Sequence, residues 1–208
     1  MSIRIFLAII FGYLFGSIPM GYILGKLRGI DITEKGFRKI GTSNVYRVLG
    51  LKYAILAAIF DLSKGIVAIL FSKEVLGLKI ELGSIAGAAA LIGHNWPIWL
   101  KFKGEGRGIA TATGIGLFLL PEITLIALTV FLVITIFTKS TAPGTPFFLL
   151  LLPILTHFSG KPRSYQYLAT AIFLITFSKR ILGNLQYIKK NPAKLKALLY
   201  VIIWDRSQ

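Results

Sequence analysis

Cysteine is absent from the 208-residue sequence, and histidine occurs only twice, at His94 and His157. Without cysteine the chain has no disulfide bond, no thiolate metal site and no cysteine nucleophile. Two histidines are too few for a multi-histidine metal cluster, so we expect no metal and no cofactor. Any chemistry must therefore come from the remaining polar side chains.

Charged residues are also scarce, since they make up 15% of the sequence, whereas 55% of the residues are hydrophobic. A soluble globular domain needs a larger polar surface than this composition supplies. A membrane-embedded chain does not, because its lipid-facing surface is apolar. The apolar segments run unbroken instead of alternating with a period of two, which argues against a β-barrel. The composition predicts an all-α, polytopic membrane protein.

Seven apolar segments are candidate membrane spans, although several are shorter than the roughly 20 residues of a perpendicular span. In the first segment, the apolar run after Arg4 continues past Ile18 without a clean cleavage site, so we expect a retained span and not a signal peptide. Only Pro121 and Glu122 separate the fourth and fifth segments, as in a tight helical hairpin or one long broken helix, so six or eight spans are alternatives. No linker divides the chain, and a single domain over residues 1–208 is expected. The segments are residues 3–24, 53–72, 82–100, 108–120, 121–138, 145–159 and 165–182.

Lysine and arginine are distributed unevenly between the two sides of the predicted membrane domain. If the amino terminus lies outside, the cytoplasmic loops and tail carry eighteen of them, against five on the other side, at Arg4, Lys73, Lys79, Lys161 and Arg163. This bias predicts an outside amino terminus and a cytoplasmic carboxy terminus. Topology and attraction to anionic lipid account for the net charge of +16. Because the basic residues are spread over membrane-bound loops, nucleic-acid binding is not expected.

The stretch "HNWPIWLKFKGEGRGIATATG" interrupts the apolar pattern with three glycines, Gly104, Gly106 and Gly108, set among cations. Glycine lets the backbone approach an anion and point its N–H groups at it, and the helix predicted next adds the positive end of its dipole. Lys103 and Arg107 add full positive charge. The pattern indicates an anion site, with a basic turn beside lipid headgroups as an equally supported alternative.

Ionisable residues also occur at predicted membrane depth. Asp61 and Lys64 lie inside the second span, in "FDLSKG", where a spacing of three residues puts them on one helix face. Such residues are costly in lipid and predict a functional site, with a structural ion pair as the alternative. His94 ends the third span before Pro97 breaks the helix. It would serve as a general base, as a donor to a phosphate, or as an interfacial anchor.

The loop from Asp31 to Gly50 places Ser43, Asn44 and Arg47 beside further cations. Hydroxyl, amide and guanidinium groups are the usual binding groups for phosphate. A solvated basic loop would have the same composition, so both interpretations stay open.

Two other patterns concern packing. Glycine pairs at GxxxG spacing, at Gly12 and Gly16 among others, predict close contact between helices. The tail after Gly183 has the pattern of a basic amphipathic helix lying on the cytoplasmic interface.

Taken in order, four motifs resemble those of the acyl-phosphate-dependent glycerol-3-phosphate acyltransferases of bacterial membranes, the PlsY family. The sequence "GSIP" at residues 16–19 resembles the first-span signature, and "GTSNVYRVLG" at residues 41–50 resembles GATNxxRxxG. "DLSKG" resembles DxxKG, and "GHNWPIWLKFKGEGRGIAT" resembles GHxxPxxxxFKGGKGVAT, the most specific of the four. Asn184 in "GNLQYI" matches the asparagine of the carboxy-terminal HRxNIxRL element.

The resemblance implies a seven-span fold in the bacterial inner membrane, with the motifs on the cytoplasmic side. It implies transfer of a fatty acyl group from acyl phosphate to the sn-1 hydroxyl of glycerol 3-phosphate, giving lysophosphatidic acid, by a monomer without a cofactor. A substrate phosphate oxygen or His94 would accept the hydroxyl proton. The implied catalytic residues are Ser43, His94 and Asn184, and the implied substrate-binding residues are Asn44, Arg47, Lys64, Lys103, Gly104, Gly106, Arg107 and Gly108.

Several positions depart from the family's motifs. The tripeptide FRK at residues 37–39 stands where the family carries SGN. Glu105 and Arg107 replace a glycine and a lysine of FKGGKG, and Ile181 aligns with the histidine of the carboxy-terminal element.

These departures keep two alternatives open. One is a relative that binds acyl phosphate or phospholipid without transferring the acyl group. The other is a small anion transporter coupled through Asp61 and Lys64, against which the lack of inverted repeats argues.

Overall fold

The protein is described by a computed structural model that covers residues 2–103 and 106–205. Regular structure in these ranges is helical, and they contain no β-strand. The chain divides into two compact units, Met1–Phe118 and Leu119–Gln208. The predicted all-α class is confirmed, whereas the single domain over residues 1–208 stays a prediction.

Both units are built from α-helices joined by short turns. Helix α4 continues into a π-helical turn at Phe71–Val75, and a 3₁₀ turn at Ile98–Leu100 precedes the glycine-rich loop. The helices of the first unit are α1 (Ile3–Gly16), α2 (Met20–Leu27), α3 (Thr42–Leu49), α4 (Leu51–Leu70), α5 (Ile80–Asn95) and α6 (Ile109–Leu119), which ends at the boundary. Those of the second unit are α7 (Pro121–Thr138), α8 (Thr141–Phe158), α9 (Arg163–Leu182), α10 (Leu185–Lys190) and α11 (Lys194–Trp204).

Proline and glycine determine where several helices end. Pro19 lies in the break between α1 and α2, and Pro97 follows the end of α5. Proline lacks the N–H group that a continuing helix needs. Gly50 separates α3 from α4 at a φ of 87°, a value that favours glycine. Pro121 starts α7 after the non-helical Leu120, so the fourth and fifth apolar segments are not one continuous helix.

Each of the seven predicted apolar segments is largely helical, but a count of seven membrane spans is not confirmed. Helix α5 has 16 residues and α6 has 11, both shorter than the roughly 20 residues of a perpendicular span. Among the described residues, four helical segments are long and apolar enough to cross a membrane by themselves: Ile3–Leu27, Leu51–Val75, Pro121–Thr138 and Thr141–Phe158.

In the first unit, α1 packs against α5 through small residues. A Cβ atom added at Gly16 would overlap the backbone of Ala90, and Gly12 meets the same helix in the same way. Small residues at GxxxG spacing permit this close approach, so the packing role predicted for both glycines is confirmed. The Tyr13 hydroxyl donates to the Trp96 carbonyl oxygen at 3.0 Å. These contacts hold the carboxyl end of α5 in place.

Helix α6 packs against α4 in the same unit. A Cβ atom added at Gly114 would overlap the carbonyl oxygen of Leu62, so glycine is required at this crossing. One turn earlier, the Thr111 hydroxyl donates to the carbonyl oxygen of Asp61 at 2.9 Å. The amino-terminal half of α6 therefore lies beside the segment of α4 that carries Asp61.

In the second unit, α8 packs against both α7 and α9, and α11 packs against α8 and α9. Buried Arg180 donates to the carbonyl oxygens of Val201 and Ile203, each at 2.9 Å, near the end of α11. The expectation of a single tail helix is wrong, because the chain breaks at residues 191–193, around Pro192, and forms two helices.

Candidate active site

Three ionisable side chains, Asp61, Lys64 and His94, meet where α4 and α5 pack in the first unit. Nζ of Lys64 lies 2.7 Å from Oδ1 of Asp61 and 3.2 Å from Nδ1 of His94. Nδ1 of His94 lies 3.5 Å from Oδ1 of Asp61. The exposed fractions of Asp61, Lys64 and His94 are 2%, 1% and 5%. We call this group the buried triad.

Charge neutralisation holds the buried triad together, because an isolated charge is costly away from water. Asp61 and Lys64 neutralise each other on one face of α4. The ammonium group of Lys64 has only donor hydrogens, so at Nδ1 of His94 it is the donor. A neutral imidazole that accepts at Nδ1 carries its proton on Nε2. We therefore assign His94 the tautomer in which Nε2 is a hydrogen-bond donor.

The glycine-rich loop lies against the Nε2 side of His94. A Cβ atom added at Gly106 would lie only 2.8 Å from Nε2. Gly108 has a φ of 69°, and a Cβ atom there would lie 2.7 Å from Oδ1 of Asn95. Both positions require glycine, and they bring the loop backbone next to the histidine and to the amino end of α6. Gly104, the other glycine predicted to bind substrate, lies outside the described residues.

Two of the four cations predicted to bind substrate belong to this loop: Lys103 precedes its glycines and Arg107 lies between Gly106 and Gly108. Lys103 is exposed and Arg107 is half-buried. Just before them, Lys101 and Phe102 have left-handed backbone conformations, with φ of 51° and 64°, which turn the chain into the loop. The amino end of α6 adds partial positive charge from its unpaired N–H groups. An anion bound here would therefore be close to two full positive charges and to a helix amino terminus.

Asn44 organises the loop that precedes α3. Its Oδ1 accepts from the backbone N–H of Phe37 at 2.6 Å. Its Nδ2 donates to the carbonyl oxygens of Ile32 at 2.9 Å, Lys39 at 2.7 Å and Lys35 at 3.2 Å. The residue is 0% exposed. The amide predicted to contact substrate is thus engaged by the protein's own backbone.

The neighbouring residues Ser43 and Arg47 are both exposed on α3. The guanidinium carbon of Arg47 lies 4.7 Å from the ring centroid of Phe37. Because Asn44 and Arg47 are three residues apart, they lie on the same face of α3, next to the loop. Arg47 therefore presents its charge at the surface of the first unit.

Asn184, the third residue predicted to be catalytic, belongs to the second unit, whereas all other predicted site residues belong to the first. It is 2% exposed. Its Nδ2 donates to the carbonyl oxygen of Arg180 at 2.8 Å and to Oδ1 of Asp205 at 2.9 Å. These bonds join the end of α9 to the end of α11.

The sequence pattern did not single out Asn95, which directly follows His94. Asn95 is 0% exposed, and within the described residues neither Oδ1 nor Nδ2 has a hydrogen-bond partner. Buried amides are normally bonded, so an unpaired one beside Gly108 marks a candidate functional position. The sequence identified His94, which directly precedes Asn95. The burial of Asn95 depends on the tertiary fold, so the sequence does not reveal it. Asp61 was identified only as the partner of Lys64, although it also lies beside His94.

Comparison with known proteins gives consistent matches over most of the chain. The family model described as "Glycerol-3-phosphate acyltransferase" matches residues 6–191. "Glycerol-3-phosphate acyltransferase 5" of Dehalococcoides mccartyi is 40% identical over 214 residues, covering 100% of this chain and 91% of that protein. The glycerol-3-phosphate acyltransferase of Thermosipho melanesiensis is 37% identical, covering 93% of this chain and 94% of that protein.

Two crystal structures of PlsY (YgiH), an integral membrane glycerol 3-phosphate acyltransferase, have a similar fold. The glycerol 3-phosphate form has a TM-score of 0.78 and 27% identity, covering 93% of this chain and 98% of that chain. The lysophosphatidic acid form has a TM-score of 0.76 and 26% identity, covering 94% and 98%.

Replacing Lys64 with methionine is expected to destabilise the protein by about 3–5 kcal/mol, because Asp61 then becomes an unpaired buried charge. The double variant Asp61→Asn/Lys64→Met removes both charges and is expected to recover most of the loss. Unfolding of the purified variants in detergent measures both changes.

Lys73→Met is the matched control, because Lys73 forms an ion pair with Glu74 in which both side chains are more than half exposed. We expect little change in stability from this replacement. If the double variant were as unstable as Lys64→Met, the neutralisation argument for the buried triad would be wrong.

Proposed function

Because the chain belongs to the glycerol-3-phosphate acyltransferase family, we propose that it transfers a fatty acyl group from acyl phosphate to the sn-1 hydroxyl of glycerol 3-phosphate. The product is lysophosphatidic acid, an intermediate of phospholipid synthesis. The single observation that carries the proposal is the contact between the buried triad and the glycine-rich loop, since it combines a fixed donor with a backbone suited to phosphate. Family membership supports glycerol 3-phosphate as the acyl acceptor, whereas acyl phosphate as the acyl donor is part of the proposal.

The reaction needs positioning and charge neutralisation more than a strong nucleophile. Acyl phosphate is a mixed anhydride and is already activated. The acceptor oxygen forms a bond to the acyl carbon, the bond from that carbon to the phosphate oxygen breaks, and inorganic phosphate leaves. The hydroxyl proton must move to an acceptor during this step. Fixed cations and N–H donors stabilise the charge that develops on the leaving phosphate.

We assign His94 the role of hydrogen-bond donor in this reaction. Its Nδ1 accepts from Lys64, so its Nε2 hydrogen faces the loop at Gly106. The hydroxyl proton then goes to an oxygen of the phosphate group and not to His94. Lys64, which is 1% exposed, acts in this proposal by orienting His94, and its contact with phosphate stays a prediction from the sequence.

The phosphate contacts come from Lys103, Arg107 and Arg47, together with backbone N–H groups at Gly106 and Gly108. Full charges on flexible side chains and preorganised N–H groups are complementary ways to bind a phosphate. Asn44 supports them indirectly, because its side chain holds the loop before α3. The remaining assignment in this unit is that Ser43 orients the reactants. Asn184, in the second unit, stays a predicted catalytic residue, and Gly104, outside the described residues, stays a predicted substrate-binding residue.

An apolar groove in the first unit supports an acyl-chain substrate. It has a volume of about 280 Å³ and lies between the break in the first span and the turn before the glycine-rich loop. An alkyl chain extending from a phosphate-bound carbonyl would contact apolar side chains there. The groove is lined by Ile18, Pro19, Tyr22, Ile23, Trp99 and Leu100.

Phosphate release tests the function. We propose that the protein, with a chain mass of 22.9 kDa, is a monomer. When purified, it is expected to release inorganic phosphate from palmitoyl phosphate only when glycerol 3-phosphate is present, with matching formation of lysophosphatidic acid. A colorimetric phosphate assay and mass spectrometry of the lipid product measure the two. Palmitoyl phosphate binding without release would instead identify a relative that binds without transferring, and release without acceptor would identify a hydrolase.

The role of His94 is testable by three substitutions. His94→Gln keeps an N–H donor near the Nε2 position, so its kcat is expected to stay within about tenfold of the natural protein. His94→Asn, whose shorter amide does not reach, and His94→Leu are expected to lower kcat by about 10²–10³. Equal loss in all three variants would instead favour a general base at this position.

The chain is an integral membrane protein of several spans, and we propose that it lies in the bacterial inner membrane with the amino terminus outside and the carboxy terminus in the cytoplasm. Because the sequence has no cysteine, single cysteines at Lys35 and Lys161 report the side on which each loop lies. In right-side-out vesicles an impermeant maleimide is expected to label Lys161→Cys, and to label Lys35→Cys only after lysis. The reverse pattern would contradict the orientation.

A further inference from the structure

The loop before α3 fixes the position of Phe37 through its backbone. Asn44 accepts from the Phe37 N–H at 2.6 Å. On either side, Gly36 and Arg38 have left-handed conformations, with φ of 59° and 57°. A Cβ atom added at Gly36 would overlap Oδ1 of Asn44 and lie 3.0 Å from Cγ2 of Val48. The loop is therefore packed closely against α3 at this point.

The side chain of Phe37 does not serve the hydrophobic core. Its exposed fraction is 45%, whereas residues of the nearest core cluster, such as Ile32 and Val45, are 0% exposed. Instead, its ring lies beneath the guanidinium group of Arg47, with 4.7 Å between the guanidinium carbon and the ring centroid. A cation over an aromatic face at this distance is attracted by the ring's quadrupole.

Arg47 is not neutralised by a carboxylate of the described part of the chain. The acidic residue that opens its loop, Asp31, is already engaged by Lys26 at 2.8 Å. Hydrogen bonds from Lys26 and Thr33 hold the pKa of the Asp31 carboxyl at about 2, so this carboxylate is charged at neutral pH but occupied. Arg47 thus presents an uncompensated, oriented guanidinium group, which is the arrangement that binds a phosphate oxyanion.

We propose that Phe37 is a positioning residue that holds the Arg47 guanidinium in the orientation that binds a substrate phosphate. This inference rests on the proposed function. Residues 37–39 stand where the family carries SGN. The proposal therefore gives this loop the aromatic ring of Phe37 at the position of the serine hydroxyl. The ring restricts the rotamers of a long side chain before substrate arrives, so less conformational entropy is lost on binding.

A double-mutant cycle tests the proposal. Phe37→Leu keeps an apolar side chain and removes the π face, whereas Phe37→Trp keeps the face. We expect Phe37→Leu to raise the KM of one phosphate substrate about fivefold with kcat nearly unchanged, and Phe37→Trp to stay near the natural value. In an Arg47→Lys background, Phe37→Leu is expected to add no further change, because the planar guanidinium is already gone.

Tyr46→Leu is the matched control, because Tyr46 is an exposed aromatic residue on the same helix, at 58% exposure. It is expected to leave both KM values unchanged. Melting temperatures of all variants are measured alongside, and the Phe37 variants are expected to melt like the natural protein. KM is determined separately for glycerol 3-phosphate and for palmitoyl phosphate, and the substrate whose KM rises identifies the phosphate that Arg47 binds.

Equilibrium binding of each substrate to the same variants separates this proposal from the proposed function. If the natural protein binds the two substrates without turnover, the proposed function fails. The double-mutant cycle is then evaluated from the dissociation constants instead of the KM values. An unchanged Phe37→Leu variant, or an equal effect in the Arg47→Lys background, would overturn the role of Phe37. Failure of the natural protein to bind either phosphate would overturn it as well.

Discussion

The ion pair between Asp61 and Lys64 is the constraint on which the first unit depends. A lysine that is 1% exposed on a long apolar helix is tolerable only beside its counter-charge, so α4 must keep both residues on its inner face. A second donor hydrogen of the ammonium group is directed to Nδ1 of His94, which comes from α5. The close packing of α1 against α5 and of α6 against α4 maintains the relative position of α4 and α5. The orientation of the His94 imidazole follows from that position.

Much of the fold is predictable from composition and local breaks. Unbroken apolar segments predicted the helical membrane class, and Pro97 and Pro121 marked helix ends because proline acts within its own turn. The predicted span at residues 3–24 falls within one candidate membrane span, Ile3–Leu27, but its helix is interrupted between Gly16 and Met20. A hydropathy profile is averaged over many residues and therefore does not reveal such a short interruption. It also does not determine how many of the shorter helices cross the membrane.

The candidate site was predictable where its contacts are local. Asp61 and Lys64 are three residues apart on one helix, so their pairing follows from helical geometry. The hydrogen bonds of Asn44 and Asn184 reach residues as far as 12 and 21 positions away, and sequence spacing contains no information about them. The family motif identified both asparagines, but only the tertiary structure shows that the protein's own groups occupy their amide nitrogens.

The left-handed backbone at Arg38 shows how this loop can evolve. A residue other than glycine is unfavourable at a φ of 57°, yet the conformation persists because Asn44, on the neighbouring helix, fixes the backbone on both sides of it. The conformation of the loop is thus determined by Asn44, a residue outside the loop. Substitutions at residues 37–39 leave these backbone contacts of Asn44 in place, so we expect them to change the side chains that the loop presents and not the conformation of its backbone.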